Sequence, residues 1–272
     1  MNEQLLQKEK ASQQQEAPAS ELGDLSQALG ELEECSLLNG RVRLLQPARG
    51  YRVAIDPVLL AAAVPARPGE RLLELGCGSA AASLCLLARV VGLDITGLEL
   101  NFELAELARR NAALNNPRLH VIQGDLLSPP ACLADSFDQV FMNPPYLPAG
   151  AAIPSPFVTR ASANVEREAR LEHWISAALQ RLTCGGRLTL IHRADRLGEI
   201  LSLLHERAGE TRILPLRAYA DRPAKRVIVT TRKASRAPLV LLPDLVLHDP
   251  GGGFSAAAEA VLRAGEAIKI AP

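Results

Sequence analysis

The sequence predicts an α/β protein with a doubly wound, mostly parallel sheet, and three observations carry that prediction. Short β-type segments at Arg71–Leu75, Asp94–Glu99, Leu119–Gln123 and Phe137–Met142 alternate with helical segments at Ala80–Val90 and Phe102–Leu114. The connections are short, so the strands are expected to run parallel, with crossover helices that bury their apolar faces on both sides of the sheet. Of the 272 residues 48% are hydrophobic and only 3% aromatic, an aliphatic content that suits a large α/β core.

Taken in order, residues 1–35 are rich in Gln, Glu, Ala and Ser with sparse leucines, a composition that buries too little apolar surface to offset the entropy of ordering. A disordered acidic tail is expected there, with the folded domain spanning 36–272. Structure is expected to begin at the strand Arg41–Leu45. Asp56-Pro57 then starts a helix through Val64, with Asp56 as its cap and Pro57 in its first turn. Beyond the alternating region the pattern continues as a helix at Glu166–Leu182, a strand at Arg187–His192, a helix at Ala194–Arg207, and strands at Arg212–Leu216 and Arg226–Thr231. Leu239–Leu242 and Leu245–His248, around Pro243-Asp244, read as a hairpin, and Ser255–Arg263 as a closing helix.

The formal net charge is zero, but residues 1–34 hold eight acids and two lysines, which leaves the remainder at +6. A mildly basic body suits a polyanionic partner and equally an ordinary solvated surface. The five cysteines, Cys35, Cys77, Cys85, Cys132 and Cys184, are scattered with no Cys-x-x-Cys pair. They exclude a disulfide framework and a zinc site and fit reduced thiols in the cytoplasm. No apolar run approaches a membrane span, and the start lacks the basic and apolar blocks of an export signal, so a soluble, unexported protein is expected.

Leu72-Leu73-Glu74-Leu75-Gly76-Cys77-Gly78 ends the first strand of the alternating region and turns directly into a helix. Glycines there admit close approach of a ligand, and the helix start offers unpaired N–H groups. A dinucleotide site uses Gly-x-Gly-x-x-Gly, whereas S-adenosylmethionine enzymes use an acidic residue followed by Gly-x-Gly. Glu74 favours the second, because its carboxylate repels a pyrophosphate and suits an ammonium and a sulfonium. Position 81, where the third dinucleotide glycine would fall, is alanine. The next strand ends at Glu99, 21 residues after Gly78, where a carboxylate accepts from ribose hydroxyls. The third ends at Gly124-Asp125-Leu126, where the Asp125 carboxylate and the Leu126 N–H suit an adenine edge. No metal is implied.

Asn143-Pro144-Pro145-Tyr146 directly follows the fourth strand and resembles the active site of enzymes that methylate a planar amine nitrogen. In a sheet ordered 3-2-1-4 the first and fourth strands are neighbours, so this tetrapeptide faces Gly76–Gly78 across the crevice at their carboxyl ends. The amine of adenine is a poor nucleophile because its lone pair is delocalised into the ring. The Asn143 side-chain oxygen and the Pro144 carbonyl can each accept one amine hydrogen and aim that pair at a methyl donor. Pro144 and Pro145 stiffen the loop, and Tyr146 can stack on the base.

Several other features bear on function. Leu147–Val165 is a long Pro, Ala, Ser and Gly loop beside the expected site, of the kind that folds over substrate. The segment Arg212–Arg236 holds one acid among many bases. Arg222, Lys225, Arg226, Arg232 and Lys233 read as phosphate contacts or as the exposed face of two strands. His192-Arg193-Ala194-Asp195 reads as structural, or at most as a neighbour of the cofactor site. Trp174, Leu171 and Leu182 fit the buried stripe of a helix.

Together, Glu74–Gly78, Glu99, Asp125 and Asn143–Tyr146 resemble a class I S-adenosylmethionine-dependent methyltransferase of the small-domain type, over roughly residues 40–265. Gly50–Asp56, Gly185–His192 and Leu239–His248 narrow the resemblance to the tRNA(Val) adenine-N6 methyltransferases. That resemblance implies a Rossmann-like, seven-stranded sheet with a reversed final hairpin, S-adenosylmethionine as donor, and an adenine beside a tRNA anticodon as acceptor. Ala80 departs from it, since many relatives carry a third glycine there, and the acidic tail is a second departure. The same tetrapeptide also serves enzymes that methylate a glutamine amide in release factors. Those carry a folded helical domain in front, for which the polar residues ahead of this core are too few. A non-catalytic RNA-binding protein of the same fold and a nicotinamide-dependent dehydrogenase are the other readings. The intact tetrapeptide disfavours the first, and Glu74 with the missing glycine the second.

Overall fold

The computed structural model describes residues 25, 28–49, 52–115, 118–133, 136–146 and 169–270. Two strands come first, β1 (Leu32–Leu37) and β2 (Val42–Pro47), paired antiparallel as a separate two-stranded sheet. Helix α1 (Asp56–Ala63) leads into the alternating region of β3 (Arg71–Leu75), α2 (Ala81–Arg89), β4 (Asp94–Glu99), α3 (Phe102–Asn115), β5 (Leu119–Gln123) and β6 (Phe137–Met142). Then follow α4 (Leu171–Arg181), β7 (Leu182–Arg193), α5 (Leu197–Leu204), β8 (Ala208–Arg217), β9 (Arg226–Lys233), β10 (Val240–Leu241), β11 (Leu245–Val246) and α6 (Ala256–Leu262).

The main sheet has nine strands where seven were expected: seven run in the order β8-β9-β7-β6-β3-β4-β5, parallel from β7 to β5, with β9 antiparallel to both of its neighbours, and β10 and β11 add to the outer edge of β8. The order reverses at β3, the first strand of the alternating region, which opens a crevice beyond its carboxyl end. Alternate side chains of the central strands go to opposite faces. Leu72, Phe141, Ile191 and Ile228 join the core under α1, α2 and α6, while Leu73, Leu75, Val140, Met142, Leu190 and Val229 join the core under α4 and α5. Both faces are therefore covered, as the doubly wound reading requires.

The strands of the alternating region fall at the expected residues, and several other expectations change. First, the boundary expected at 35/36 lies inside β1, so the folded part starts earlier than anticipated; residues 1–24 lie outside the described residues. Two of the eight acids that marked this stretch as tail have partners, Glu34 pairing with Arg43 at 2.8 Å and Glu33 with Arg52. Leu25 and Leu29 pack on Leu104 and Leu107 of α3. Second, Leu239–Leu242 and Leu245–His248 do not form a hairpin. The short strands β10 and β11 both run parallel to β8, Val240 opposite Arg212 and Leu245 opposite Leu216. One extra residue is accommodated between them at Pro243, which has no N–H to give a ladder and is tolerated at an edge. Third, Asp56 is no cap: Ile55 is the N-cap residue, no side chain caps α1, and Asp56 is its first helical residue. Of the helix expected at Glu166–Leu182, residues 166–168 lie outside the described residues, α4 starts at Leu171, and Leu182 already belongs to β7.

The β1–β2 hairpin is fastened by two amides one turn apart on α3. Asn111, fully buried, accepts from the Leu45 N–H at 2.7 Å and donates to the Leu45 and Ser79 carbonyls, each at 3.0 Å. Asn115 accepts from the Arg43 N–H at 2.8 Å and donates to its carbonyl at 2.6 Å. The pair serves the free edge of β2 as a neighbouring strand would, and through Ser79 it reaches the turn after β3. Replacing Asn111 with alanine leaves three buried backbone groups unpaired. Asn111→Ala is therefore expected to cost about 2–4 kcal/mol in urea unfolding and to speed hydrogen exchange at the Leu45 amide.

Candidate active site

The register of the parallel strands lines up the residues that the sequence singled out. Leu75 pairs with Met142, so Gly76 and Asn143 leave the sheet side by side. Leu75 also pairs with Leu98, one residue before Glu99, and Glu99 pairs with Gln123, two before Asp125. On the other side Met142 pairs with Leu190, which brings the end of β7 alongside the tetrapeptide, and His192 and Arg193 pair with Val227 and Arg226. Six strand ends thus share one edge, in the order Arg226, His192, Asn143, Gly76, Glu99, Asp125.

The turn after β3 is held by its own backbone. Gly76 and Cys77 both donate to the Leu98 carbonyl, at 2.8 and 3.1 Å, and Gly78 donates to Glu99 Oε2 at 2.8 Å. Gly76 sits at φ +66°, and a Cβ there would lie 2.6 Å from the Trp174 ring, so both backbone and packing demand glycine. Trp174 is therefore more than one residue of a buried stripe, since its ring forms the other wall of this turn. Ala80 has φ 68° and ψ 21°, a left-handed conformation that costs a non-glycine residue roughly 1–2 kcal/mol. This accounts for the glycine expected there. The Cys77 thiol points away into the sheet, against Gly97, whose added Cβ would meet its sulfur at 2.8 Å; only the Cys77 backbone belongs to the turn.

Glu74 lies beneath the turn, 4% exposed, where Oε2 accepts from the Ser83 N–H at 3.1 Å and from the Ser83 hydroxyl. Burial raises its pKa to about 8, against the two hydrogen bonds from Ser83, which lower it. Glu99 is likewise buried and raised by desolvation; its Oε1 accepts from the Asn101 N–H at 3.0 Å. One oxygen of Asp125 accepts from the Leu127 N–H at 2.9 Å in a local turn that also carries Leu126. Three carboxyl groups thus lie at or beneath the glycine turn, a surface of acceptors that fits hydroxyl and amine groups; Glu74, raised to about 8, is protonated at neutral pH and does not oppose a pyrophosphate by charge as the sequence reading expected.

The tetrapeptide forms the facing wall. Asn143 Oδ1 is buried and accepts no hydrogen bond from the described residues, so its acceptor capacity is unspent. The Tyr146 hydroxyl donates to Asp56 Oδ2 at 2.6 Å, and Arg226 Nε donates to the same oxygen at 2.7 Å. The Arg226 guanidinium also stands 5.7 Å from the centre of the Tyr146 ring, and His192 meets that ring edge-on at 5.4 Å. His192 is fully buried, and among the described residues neither ring nitrogen makes a hydrogen bond of good geometry; desolvation and then the charge of Arg196 lower its pKa to about 4, against the nearby Pro145 backbone, which raises it, so the imidazole is neutral. Burial and the Asp56 carboxylate push the Tyr146 phenol well above its ordinary value. Sequence reading assigned no role at this site to Asp56 and set His192 aside. The available signal was that Asp56 and His192 each close a segment used for the resemblance, Gly50–Asp56 and Gly185–His192.

The basic candidates divide. Arg226 is committed to Asp56 and Tyr146, Arg232 donates to the Gly185 carbonyl at 2.9 Å, and Lys233 donates to the Leu182 carbonyl at 2.6 Å. Arg222 and Lys225 are exposed in the β8–β9 turn, Arg222 lying over the Tyr219 ring at 5.7 Å. That turn joins the end of β8 to the start of β9, on the same edge as the tetrapeptide. The loop 147–165 lies outside the described residues, apart from the tetrapeptide that precedes it. A polar recess of about 290 Å³, lined in part by Arg67, Glu70, Gln139 and Arg187, opens at the opposite ends of the strands. Among the described residues no cluster could hold a metal ion, and no helix is long and apolar enough to cross a membrane.

The family described as methyltransferase small domain matches residues 52–214. The chain is 31% identical over 194 residues to the tRNA1(Val) (adenine(37)-N6)-methyltransferase of Musicola paradisiaca, covering 69% of this chain and 75% of that protein. It is 29% identical to the enzyme of the same name from Porphyromonas gingivalis, covering 77% and 86%. A release factor glutamine methyltransferase of Deinococcus radiodurans is 38% identical over 78 residues only, 27% of its length. Among solved structures, one described as a predicted O-methyltransferase from Agrobacterium tumefaciens superposes with a TM-score of 0.65 at 28% identity, covering 78% of this chain and 98% of that one.

Two outcomes are expected from this geometry. Gly76→Ala forces a left-handed alanine into the Trp174 ring and is expected to lower stability by about 2–3 kcal/mol in denaturant titrations, part of which Trp174→Leu restores in the double variant. Glu74 has its folded-state pKa raised from 4.5 to about 8, so its contribution is complete below pH 4.5 and is lost as the pH rises through 8. Thermal melts at pH 5 and 8.5 should therefore show the wild type losing roughly 5 °C relative to Glu74→Gln over that interval.

Proposed function

This chain belongs to the methyltransferase small domain family, and on that premise we propose that it is an S-adenosylmethionine-dependent N-methyltransferase acting on the exocyclic amine of an adenine in tRNA. The observation that carries the reading is the register of β3 against β6, which sets an acid-edged glycine turn beside an asparagine oxygen with no hydrogen-bond partner among the described residues.

The residues at the edge suit the donor. Gly76, Cys77 and Gly78 present a backbone turn under a ligand, Glu74 puts a buried carboxyl beneath it, and Glu99 and Asp125 retain acceptor capacity for ribose hydroxyls and an adenine amine. The Leu126 N–H is the donor in reach of an adenine ring nitrogen. When bound, S-adenosylmethionine supplies an electrophilic methyl group on its sulfonium.

The acceptor half orients and does little proton chemistry. Asn143 Oδ1 and the Pro144 carbonyl each take one amine hydrogen and turn the nitrogen lone pair toward the methyl carbon. Pro144 and Pro145 hold that pair of acceptors at fixed separation, and Tyr146 stacks on the base. His192 is neutral with a pKa of about 4 and the phenol is raised, so neither is poised to take the amine proton at neutral pH. The proton is lost to water after the nitrogen has been alkylated and acidified. Of the five basic residues proposed for phosphate contact, Arg222 and Lys225 are exposed and among the described residues give no hydrogen bond to an internal acceptor, and they are the first choice; Arg226, Arg232 and Lys233 serve through the field they add.

The glutamine-amide reading has less support, because the similarity to the release factor enzyme is confined to 78 residues. Incubation with labelled S-adenosylmethionine and either total tRNA or release factors, followed by mass spectrometry of the digests, separates the two: N6-methyladenosine in tRNA is expected, and label in protein alone overturns the substrate. Asn143→Ala is expected to lower turnover at least about 100-fold while calorimetric affinity for S-adenosylhomocysteine stays within about two-fold, because only an acceptor for the target amine is removed.

A further inference from the structure

We propose that Asp56, at the start of α1, is the positioning residue for Tyr146: it anchors the phenol hydroxyl and, through Arg226, fixes the ring so that one face is presented to the target base. The proposal rests on the adenine reading above and adds to it a residue from an element that contributes nothing else to the site.

The geometry is specific. Asp56 is 4% exposed, and its Oδ2 takes two hydrogen bonds, from the Tyr146 hydroxyl at 2.6 Å and from Arg226 Nε at 2.7 Å. The three residues come from α1, the loop after β6, and β9, so the carboxylate joins three segments far apart in sequence. Its position in the first turn of α1 places the negative charge where the helix dipole favours it. The charge of Arg226 balances that of Asp56, so the cluster adds no net negative charge beside a site for a polyanion.

An aromatic side chain has two soft torsions, and a ring that turns about either cannot stack on a base. Tyr146 is held at its hydroxyl by Asp56, on one face by the Arg226 guanidinium at 5.7 Å, and against the edge of His192 at 5.4 Å. A base takes the face opposite Arg226. Because the phenol is raised by burial and by the carboxylate, the hydroxyl stays protonated and serves as an anchor, not as a base. Arg226, expected from the sequence to touch phosphate, is instead the counter-ion that lets a carboxylate sit buried here.

The test is a double-mutant cycle of Asp56→Asn and Tyr146→Phe in the full-length protein, with tRNA transcripts as acceptor. Each single variant is expected to lower kcat about 10- to 100-fold, with S-adenosylhomocysteine affinity within about two-fold of wild type, and the double variant to be no worse than the poorer single. A purely structural role would lower donor affinity and melting temperature together with kcat. Turnover of Asp56→Asn within two-fold of wild type, or losses that multiply in the double variant, overturns the proposal. If Asp56→Asn does not fold, the cycle is run with Arg226→Gln and Tyr146→Phe, with the same expectation of non-additivity. A wild type that labels no tRNA overturns the substrate reading instead. The hold of Asp56 on Tyr146 is still decided by the near-ultraviolet difference spectrum at neutral pH: a phenol that donates to a carboxylate absorbs to the red, so Asp56→Asn should shift the Tyr146 band to the blue, and an unchanged spectrum overturns it.

Discussion

Everything at this site depends on how β3 pairs with β6. Because Leu75 lies opposite Met142, the glycine turn and the tetrapeptide emerge next to each other and their reactive groups converge. A slip of one residue would send every side chain of β6 to the other face, exchanging Phe141 and Met142 between two cores that they fill completely. The register is therefore held by the burial of both faces, and the geometry of the edge is a consequence of packing some distance below it. On the reading proposed above, the same pairing divides the edge into a donor half built on β3, β4 and β5 and an acceptor half built on β6, β7 and β9.

The two halves use charge differently. In the donor half, Glu74 and Glu99 are buried and desolvated, and each is steadied by N–H groups of the glycine turn or of the residues next to it. Those contacts fix the turn and also leave carboxyl groups that a cationic ligand would stabilise in their ionised form. In the acceptor half the formal charges cancel within the cluster of Asp56 and Arg226, and the neighbouring histidine is neutral. No group there is tuned for proton transfer near neutral pH. Catalysis by orientation of a delocalised amine needs acceptors and a rigid aromatic surface, and those are the groups this half contains.

Rigidity reaches the site from outside the main sheet. Asn111 binds the β1–β2 hairpin and the Ser79 carbonyl at once, so a two-stranded appendage and the helix that follows β4 both brace the turn after β3. On the opposite side the Trp174 ring closes against Gly76. The strained Ala80 persists between these supports because its neighbours over-determine the backbone.

The central strands and helices were legible in the sequence because apolar runs of the right length, separated by Gly and Pro turns, admit little else. The places of Glu99, Asp125 and Asn143 at or just beyond successive strand ends, and of Glu74 just before the glycine turn, were legible as well, because strand ends in an alternating pattern are predictable positions. β1 was not: its acids resemble those of a solvated tail, and only its antiparallel ladder with β2 and the pairing of those acids with Arg43 and Arg52 make a strand of it. Nor was the edge strand of β10 and β11 legible, because two short β-type runs around a Pro-Asp turn read as a hairpin and nothing local tells which partner each will take. The sequence alone determined the fold class, the glycine turn and the tetrapeptide, all of which depend on neighbours in the chain. Tertiary structure alone decided that Asp56 leaves its expected capping position to hold Tyr146, that Arg226 becomes its counter-ion, and that Trp174 walls the turn. These contacts join residues up to 170 positions apart, and local propensity has no means of selecting among partners at that range.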